Sequence, residues 1–145
     1  MYVATKHAIS GFVRSMAKLE GLGIRVTAVA PGFIKTPLWT ESPDKMRMID
    51  ESKADWVTPE EVATVMLAMV QQDQISESII GSPKDGDNMI PVSGGTVMEV
   101  CKVVRKVSMF NDPGPWGQPG NAMANAKEVD EGCLELVQSG NWGKL

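Results

Sequence analysis

Apolar residues recur at three- and four-residue spacings through Ala4, Ala8, Ile9, Phe12, Val13, Met16, Ala17 and Leu19, with Lys6, Ser10, Arg14 and Lys18 opposite them. This period predicts an amphipathic helix from about residue 3 to 20, ended by Gly21 and Gly23. The pattern then changes. Ile24 to Ala30 is a short apolar and β-branched run without alternation, bounded by glycine in front and Pro31-Gly32 behind, and it predicts a strand buried on both faces of a parallel sheet. Pro31 to Thr40 reads as a loop. Ser42-Pro43-Asp44 supplies a cap, a first-position proline and a first-turn acid for a short helix to about Ser52. Thr58-Pro59-Glu60-Glu61 forms a capping box ahead of Val62, Val65, Met66, Met69 and Val70, so a helix should run to about Gln72. The glycine and proline positions between 81 and 95 predict a loop, and Thr96 to Cys101 a second strand. Residues 111–120 form a proline-glycine connector, and 122–138 a last helix with Val129, Cys133, Leu136 and Val137 inward. Helix, strand, helix, helix, strand is the alternation of an α/β sheet. The expected division is 1–108 for that sheet and 109–145 for the connector and last helix.

Composition narrows the class. The chain has 145 residues, 43% hydrophobic and 22% charged, as in an ordinary globular protein and far from a disordered one. The net charge is −4 and the lysines and arginines are scattered, so no basic footprint for nucleic acid is present. No apolar run long enough to cross a membrane and no signal-peptide pattern occurs, which leads us to expect a cytoplasmic protein without a membrane partner. Cys101 and Cys133 lack CxxC spacing and His7 is the only histidine. No zinc set can therefore be built from cysteine and histidine, no metal is expected, and both cysteines read as reduced and structural.

Candidate chemistry lies at the front of the chain. Tyr2 and Lys6 are four residues apart and share one helix face. A tyrosine with an ordinary pKa of about 10 is a weak base, but a neighbouring cation favours the phenolate. Such a pair can take the proton from a substrate hydroxyl while hydride leaves the same carbon, or run the reverse. Two common helix residues paired by chance remain the alternative. Pro31-Gly32-Phe33-Ile34-Lys35-Thr36 follows the first strand, at the carboxyl edge where open α/β sheets bind ligands. Thr36 offers a hydroxyl to an amide or phosphate, and an ordinary strand-to-helix turn is the alternative there.

Taken in order, Tyr2-x-x-x-Lys6, a helix, a strand and Pro31-Gly32-x-x-x-Thr36, 31 − 2 = 29 residues on, resemble the short-chain dehydrogenase/reductase family. Within it, Tyr2 to His7 and Ala30 to Ile34 look like the 15-hydroxyprostaglandin dehydrogenase type. The resemblance covers residues 1 to about 101. It implies the C-terminal part of a Rossmann-like doubly wound parallel sheet, NAD as cofactor with NADP left open, and a small secondary alcohol or ketone as substrate. By the same resemblance Tyr2 and Lys6 are the catalytic residues, Tyr2 as the acid/base, and both also belong to the cofactor-binding set, in which Lys6 binds the nicotinamide ribose and lowers the tyrosine pKa. Pro31, Gly32, Phe33, Ile34 and Thr36 lie along the nicotinamide. Leu38 to about Trp56 would be the substrate lid, whose Trp39, Met46, Met48 and Ile49 fit an apolar substrate, with simple helix packing as the alternative. The intact family form would be a homo-oligomer.

Three family elements are not found in this sequence: the N-terminal strands with their glycine-rich phosphate turn, the residue that selects NAD or NADP, and the serine ahead of the tyrosine. Ser10 lies eight residues past Tyr2, roughly 12 Å along a helix, and neither it nor Ser15 replaces that serine. His7 is turned about 100° from Lys6 and carries no expected role. We therefore expect a truncated chain, inactive alone, poorly stable for want of neighbouring strands, with Tyr2 in a frayed first turn. The alternative is a non-catalytic interaction module that associates with a full-length homologue.

Overall fold

The centre of the chain is a pair of strands that are far apart in sequence. Ala28–Pro31 (β1) pairs in parallel with Val97–Val100 (β4), in the register Ala28 to Val97 through Pro31 to Val100. The pairing is extended at both ends, where the Ala28 N–H donates to the Thr96 carbonyl and the Gly32 N–H to the Val100 carbonyl, each at 3.0 Å. Two parallel neighbours need a crossover, and the chain supplies a helix, Pro59–Gln71 (α4), between them. We describe residues 1–51, 53–82, 86–109 and 126–141 of a computed structural model. They fall into two units, Met1–Val107 and Ser108–Leu145.

In the first unit the remaining elements are helix α1 (Tyr2–Ser15), a 3-10 segment over Met16–Leu22, and the short helices α2 (Pro37–Thr40) and α3 (Pro43–Met46). Strands β2 (Gln74–Ser76), β3 (Met89–Pro91) and β5 (Val104–Lys106) complete it. β4 also pairs with β5, antiparallel, and β2 with β3 in a separate two-stranded ribbon. Helix α4 starts where its sequence says it should. Thr58 Oγ1 accepts from the Glu61 N–H at 3.1 Å, and Glu61 Oε2 accepts from the Thr58 N–H at 2.7 Å. Its face of Val62, Val65, Ala68 and Met69 joins Val57, Ile75, Val92, Met98, Val100 and Val104 in the core. Successive residues of a strand point to opposite faces, so Val97, also buried, faces away from α4 toward the side where α1 meets β4.

Several expectations are corrected. The first strand is not buried on both faces: Ala28 and Val29 are half-buried and Ala30 and Pro31 exposed, because among the described strands β1 ends its sheet and pairs with β4 alone. The apolar stripe of α1 is likewise mostly outside. Ile9 and Phe12 are exposed and only Val13 is buried. The helix also stops earlier as an α-helix, tightening into the 3-10 segment where the Gly94-Gly95 turn presses on Arg14 and Ala17. The helix expected to reach Ser52 is the single turn of α3, whose Ser42 makes no side-chain cap. The loop expected over 81–95 contains β3, and β5 was not expected at all.

A charged cluster joins these pieces. Arg25 pairs with Glu20 at 3.0 Å and Asp73 at 2.6 Å and donates to the Gln72 carbonyl at 3.1 Å. The Gly94 N–H donates to Glu20 Oε2 at 2.9 Å. That amide, with Arg25 beside it, holds the Glu20 carboxyl below its ordinary value against the opposing effect of desolvation.

The second unit contains helix α5, Ala126–Gln138. Cys133 and Leu136, expected to point inward, are exposed, since no other described element of that unit packs on them. The connector over 111–120 and the helix start at residue 122 lie outside the described residues, and no described helix is long and apolar enough to cross a membrane.

Candidate active site

A helix puts residues i, i+4, i+7 and i+8 on one face, and in α1 that face carries Tyr2, Lys6, Ile9 and Ser10. It forms one wall of a cleft of about 700 Å³ whose other wall is the open side of β1 and the turn that follows, Ala28 through Ile34. Thr36, Leu38, Trp39 and Val97 complete the lining. Tyr2, Lys6, Pro31, Gly32, Phe33, Ile34 and Thr36 thus all border one cavity. The parallel strand pair achieves this by carrying the Pro31 turn past the start of α1.

Tyr2 opens α1 and is 74% exposed. Its carbonyl accepts from Thr5 Oγ1 at 2.7 Å, and the Met1 carbonyl accepts from the Thr5 N–H at 3.1 Å, so the first turn is closed. Lys6 Nζ stands 5.4 Å from the centre of the Tyr2 ring, within range of a cation–π attraction. Ser10, set aside in the sequence because of its distance along the helix from Tyr2, does border the cleft, and its Oγ donates to the Lys6 carbonyl at 3.3 Å. The sequence signal for it was its i+4 spacing from Lys6.

The far wall is held from behind. An isolated parallel bridge joins Ile34 to Val57, through Lys35 N–H to the Val57 carbonyl at 2.8 Å and Val57 N–H to the Phe33 carbonyl at 2.9 Å. In a parallel bridge the central residue turns its own N–H and C=O the other way, so those of Ile34 face away from Val57. Gly32 packs on Cys101, with 3.1 Å between an added Cβ and the Cys101 sulfur. Burial, with the Glu99 charge, pushes the Cys101 thiol up, as suits a packing residue and not a nucleophile. The cleft therefore combines one ammonium, a phenol, two aliphatic hydroxyls and a backbone amide with an apolar floor. That set can grip a hydroxyl-rich group and a carboxamide beside a proton-exchanging phenol. No group of acidic, histidine or cysteine residues among those described is arranged to hold a metal ion.

Comparison with known proteins agrees with this reading of the chain's ancestry. Residues 1–83 match the family described as enoyl-(acyl carrier protein) reductase. The chain is 38% identical over 86 residues to 3-oxoacyl-(acyl-carrier-protein) reductase of Thermotoga maritima, covering 55% of this chain and 35% of that one. A short-chain dehydrogenase/reductase homologue of Bacillus subtilis is 31% identical over 81 residues, covering 54% and 63%. The NAD(+) 15-hydroxyprostaglandin dehydrogenase of Rattus norvegicus is 30% identical over 95 residues, covering 55% and 35%. The chain thus spans between about a third and two thirds of the length of these relatives. No solved structure is significantly similar. With a match over more than half its residues, the chain belongs to the short-chain dehydrogenase/reductase family.

Proposed function

We propose that the cleft is the nicotinamide end of an NAD(P)-dependent oxidoreductase site that interconverts a secondary alcohol and a ketone. The observation that carries this is the meeting of Tyr2 and Lys6 with the Pro31–Thr36 turn around one cavity. Its donors suit a nicotinamide ribose: the Lys6 ammonium for the ribose hydroxyls, and Thr36 with the outward-turned Ile34 amide for the carboxamide. When bound, the nicotinamide supplies or accepts the hydride. Tyr2 gives its phenolic proton to the ketone oxygen in reduction and takes one from the alcohol in oxidation. NAD is the preferred cofactor in this reading, as the rat relative's name indicates for that protein. The apolar walls Ile9, Leu38, Trp39 and Val97 suit an apolar substrate, and the excursion from Leu38 to Trp56 serves as its lid.

Tyr2→Phe tests the assignment. Nicotinamide-dependent alcohol oxidation should fall by roughly 10²- to 10⁴-fold, the usual contribution of a general acid/base, while nicotinamide binding persists. An undiminished rate would remove the phenol from the mechanism. A second reading, a non-catalytic module that associates with a longer relative as a homologous pair, is favoured by the exposure of Val3, Ile9 and Phe12 along α1. Co-purification with a longer relative would support it, and turnover by the 145-residue chain alone would refute it.

A further inference from the structure

The Phe33, Trp39 and Trp56 rings form a closed triangle. Phe33 and Trp39 meet edge to face, 5.4 Å between centroids and 84° between planes; Trp39 and Trp56 do the same at 6.2 Å and 78°; Phe33 and Trp56 stand 5.9 Å apart at 51°. The three residues come from before, within and the end of one excursion. Phe33 precedes it, Trp39 sits in its first helix α2, and Trp56 ends it next to Val57, which is fully buried. Phe33 and Trp39 border the cleft, whereas Trp56 stands outside its lining. Between them α2 and α3 pack on one another, joined by Lys45 Nζ to the Leu38 carbonyl at 3.4 Å, and Leu38 in α2 and Met48 just past α3 are exposed.

The Ile34–Val57 bridge holds the base of the excursion. The ring triangle adds a second attachment, because Trp56 is followed by Val57 of the core and contacts both rings that border the cleft. We propose that Trp56 is a positioning residue: it latches Trp39 and Phe33 in place as an apolar, aromatic wall, and so selects alcohols or ketones that carry a ring beside the reacting carbon. The substrate class rests on the oxidoreductase reading given above; the latch does not.

The latch is tested with the 145-residue chain and three variants at the rings. The close Trp39–Trp56 pair should give an exciton couplet in far-ultraviolet circular dichroism, lost in both Trp39→Phe and Trp56→Ala. Trypsin should cut after the lid residues Lys45, Arg47 and Lys53 about tenfold faster in Trp56→Ala, in line with the loss of two aromatic pairs. Trp56→Phe, which keeps a ring, should restore the slow rate. Met48→Ala, on the same excursion but outside the triangle, should cut at the parent rate. Acetophenone, followed by saturation-transfer NMR, should bind about tenfold more weakly to Trp56→Ala than to the parent. A parent chain without the couplet, or unchanged cleavage in Trp56→Ala, overturns the latch. Acetophenone binding to the parent no tighter than acetone overturns the substrate class. Tyr2→Phe should keep couplet and protection, because Tyr2 belongs to none of the three ring pairs. If it also keeps turnover, the acid/base assignment falls while the latch stands.

Discussion

Four glycine-to-alanine changes separate the two reasons a glycine can be required, and two of them, at Gly94 and Gly95, lie at the contact that seats α1 beside the sheet. At Gly94 an added Cβ would lie 2.6 Å from the Ala17 carbonyl oxygen and 3.2 Å from Glu20 Cβ. At Gly95 it would lie 2.8 Å from Ala17 Cβ and 3.4 Å from the Arg14 carbonyl, on a backbone with φ of +82°. Gly86 has a similar φ of +85° with open space among the described residues, and Gly11, inside α1, has open space and no unusual φ. Carbon contacts are comfortable at about 3.5–4.0 Å, so the Gly94 and Gly95 methyls overlap their neighbours by most of an ångström. Their obstacles include backbone and a Cβ, which cannot rotate away. Overpacking of this kind costs about 1–3 kcal/mol, and a left-handed backbone costs a non-glycine residue roughly 1–2 kcal/mol. Gly94→Ala should therefore lose about 1–3 kcal/mol, Gly86→Ala about 1–2 kcal/mol, and Gly95→Ala about 2–5 kcal/mol by carrying both penalties. Gly11→Ala should gain about 0.5–1 kcal/mol, the helix preference for alanine. Urea unfolding followed by circular dichroism measures all four. With a slope of about 1–3 kcal/mol per molar, the Gly95 and Gly86 midpoints should be resolvable. If Gly94→Ala is neutral, or Gly95→Ala loses no more than Gly86→Ala, the close packing of that turn on α1 is wrong.

Two further outcomes concern the start of α4. Thr58→Ala removes the acceptor for the Glu61 N–H and should lower stability by about 1 kcal/mol in the same urea assay; no change would show that the capping box contributes nothing. Lys102 donates to both Glu61 oxygens at 2.9 and 3.1 Å, and with the Thr58 N–H it holds that carboxyl below its ordinary 4.5. A folded pKa below the unfolded one means the stabilisation is complete above pH 4.5 and is lost as pH falls through the lower folded value. Lys102→Met should flatten this acid-side loss in a pH series of urea midpoints, and an unchanged slope would contradict the assignment.

Short-range chemistry was legible along the chain. The Thr58 box was visible because its partners are three residues apart, and the Tyr2–Lys6 pair because a helix's own period puts them on one face. The Pro31 turn was visible because proline and glycine end a strand wherever it lies. The errors share a different cause. Ile24 to Ala30 is apolar enough for a strand covered on both sides, but how many neighbours a strand has is a property of the sheet, and among the described strands β1 has one. The stripe through Ile9 and Phe12 has the right period for burial, yet nothing in a period says which part of the helix meets the sheet. β5 is three residues long, Val104–Lys106, and exists because its partner β4 offers a free edge.

The site divides in the same way. Its chemical members can be named from local patterns, since each motif spans a few residues and acts through its own backbone geometry. Their convergence depends on a pairing between residues 28–31 and 97–100, and on a bridge from Ile34 to Val57 that turns the Ile34 amide outward. Trp56 shows the limit most clearly. It has no motif and no period, and it acquires a place beside Phe33 and Trp39 only when the chain returns to close the bridge. Local preference is set by each residue's own torsions and immediate neighbours, whereas contacts across tens of residues form only where burial of the shared core repays the entropy of closing the loops between them.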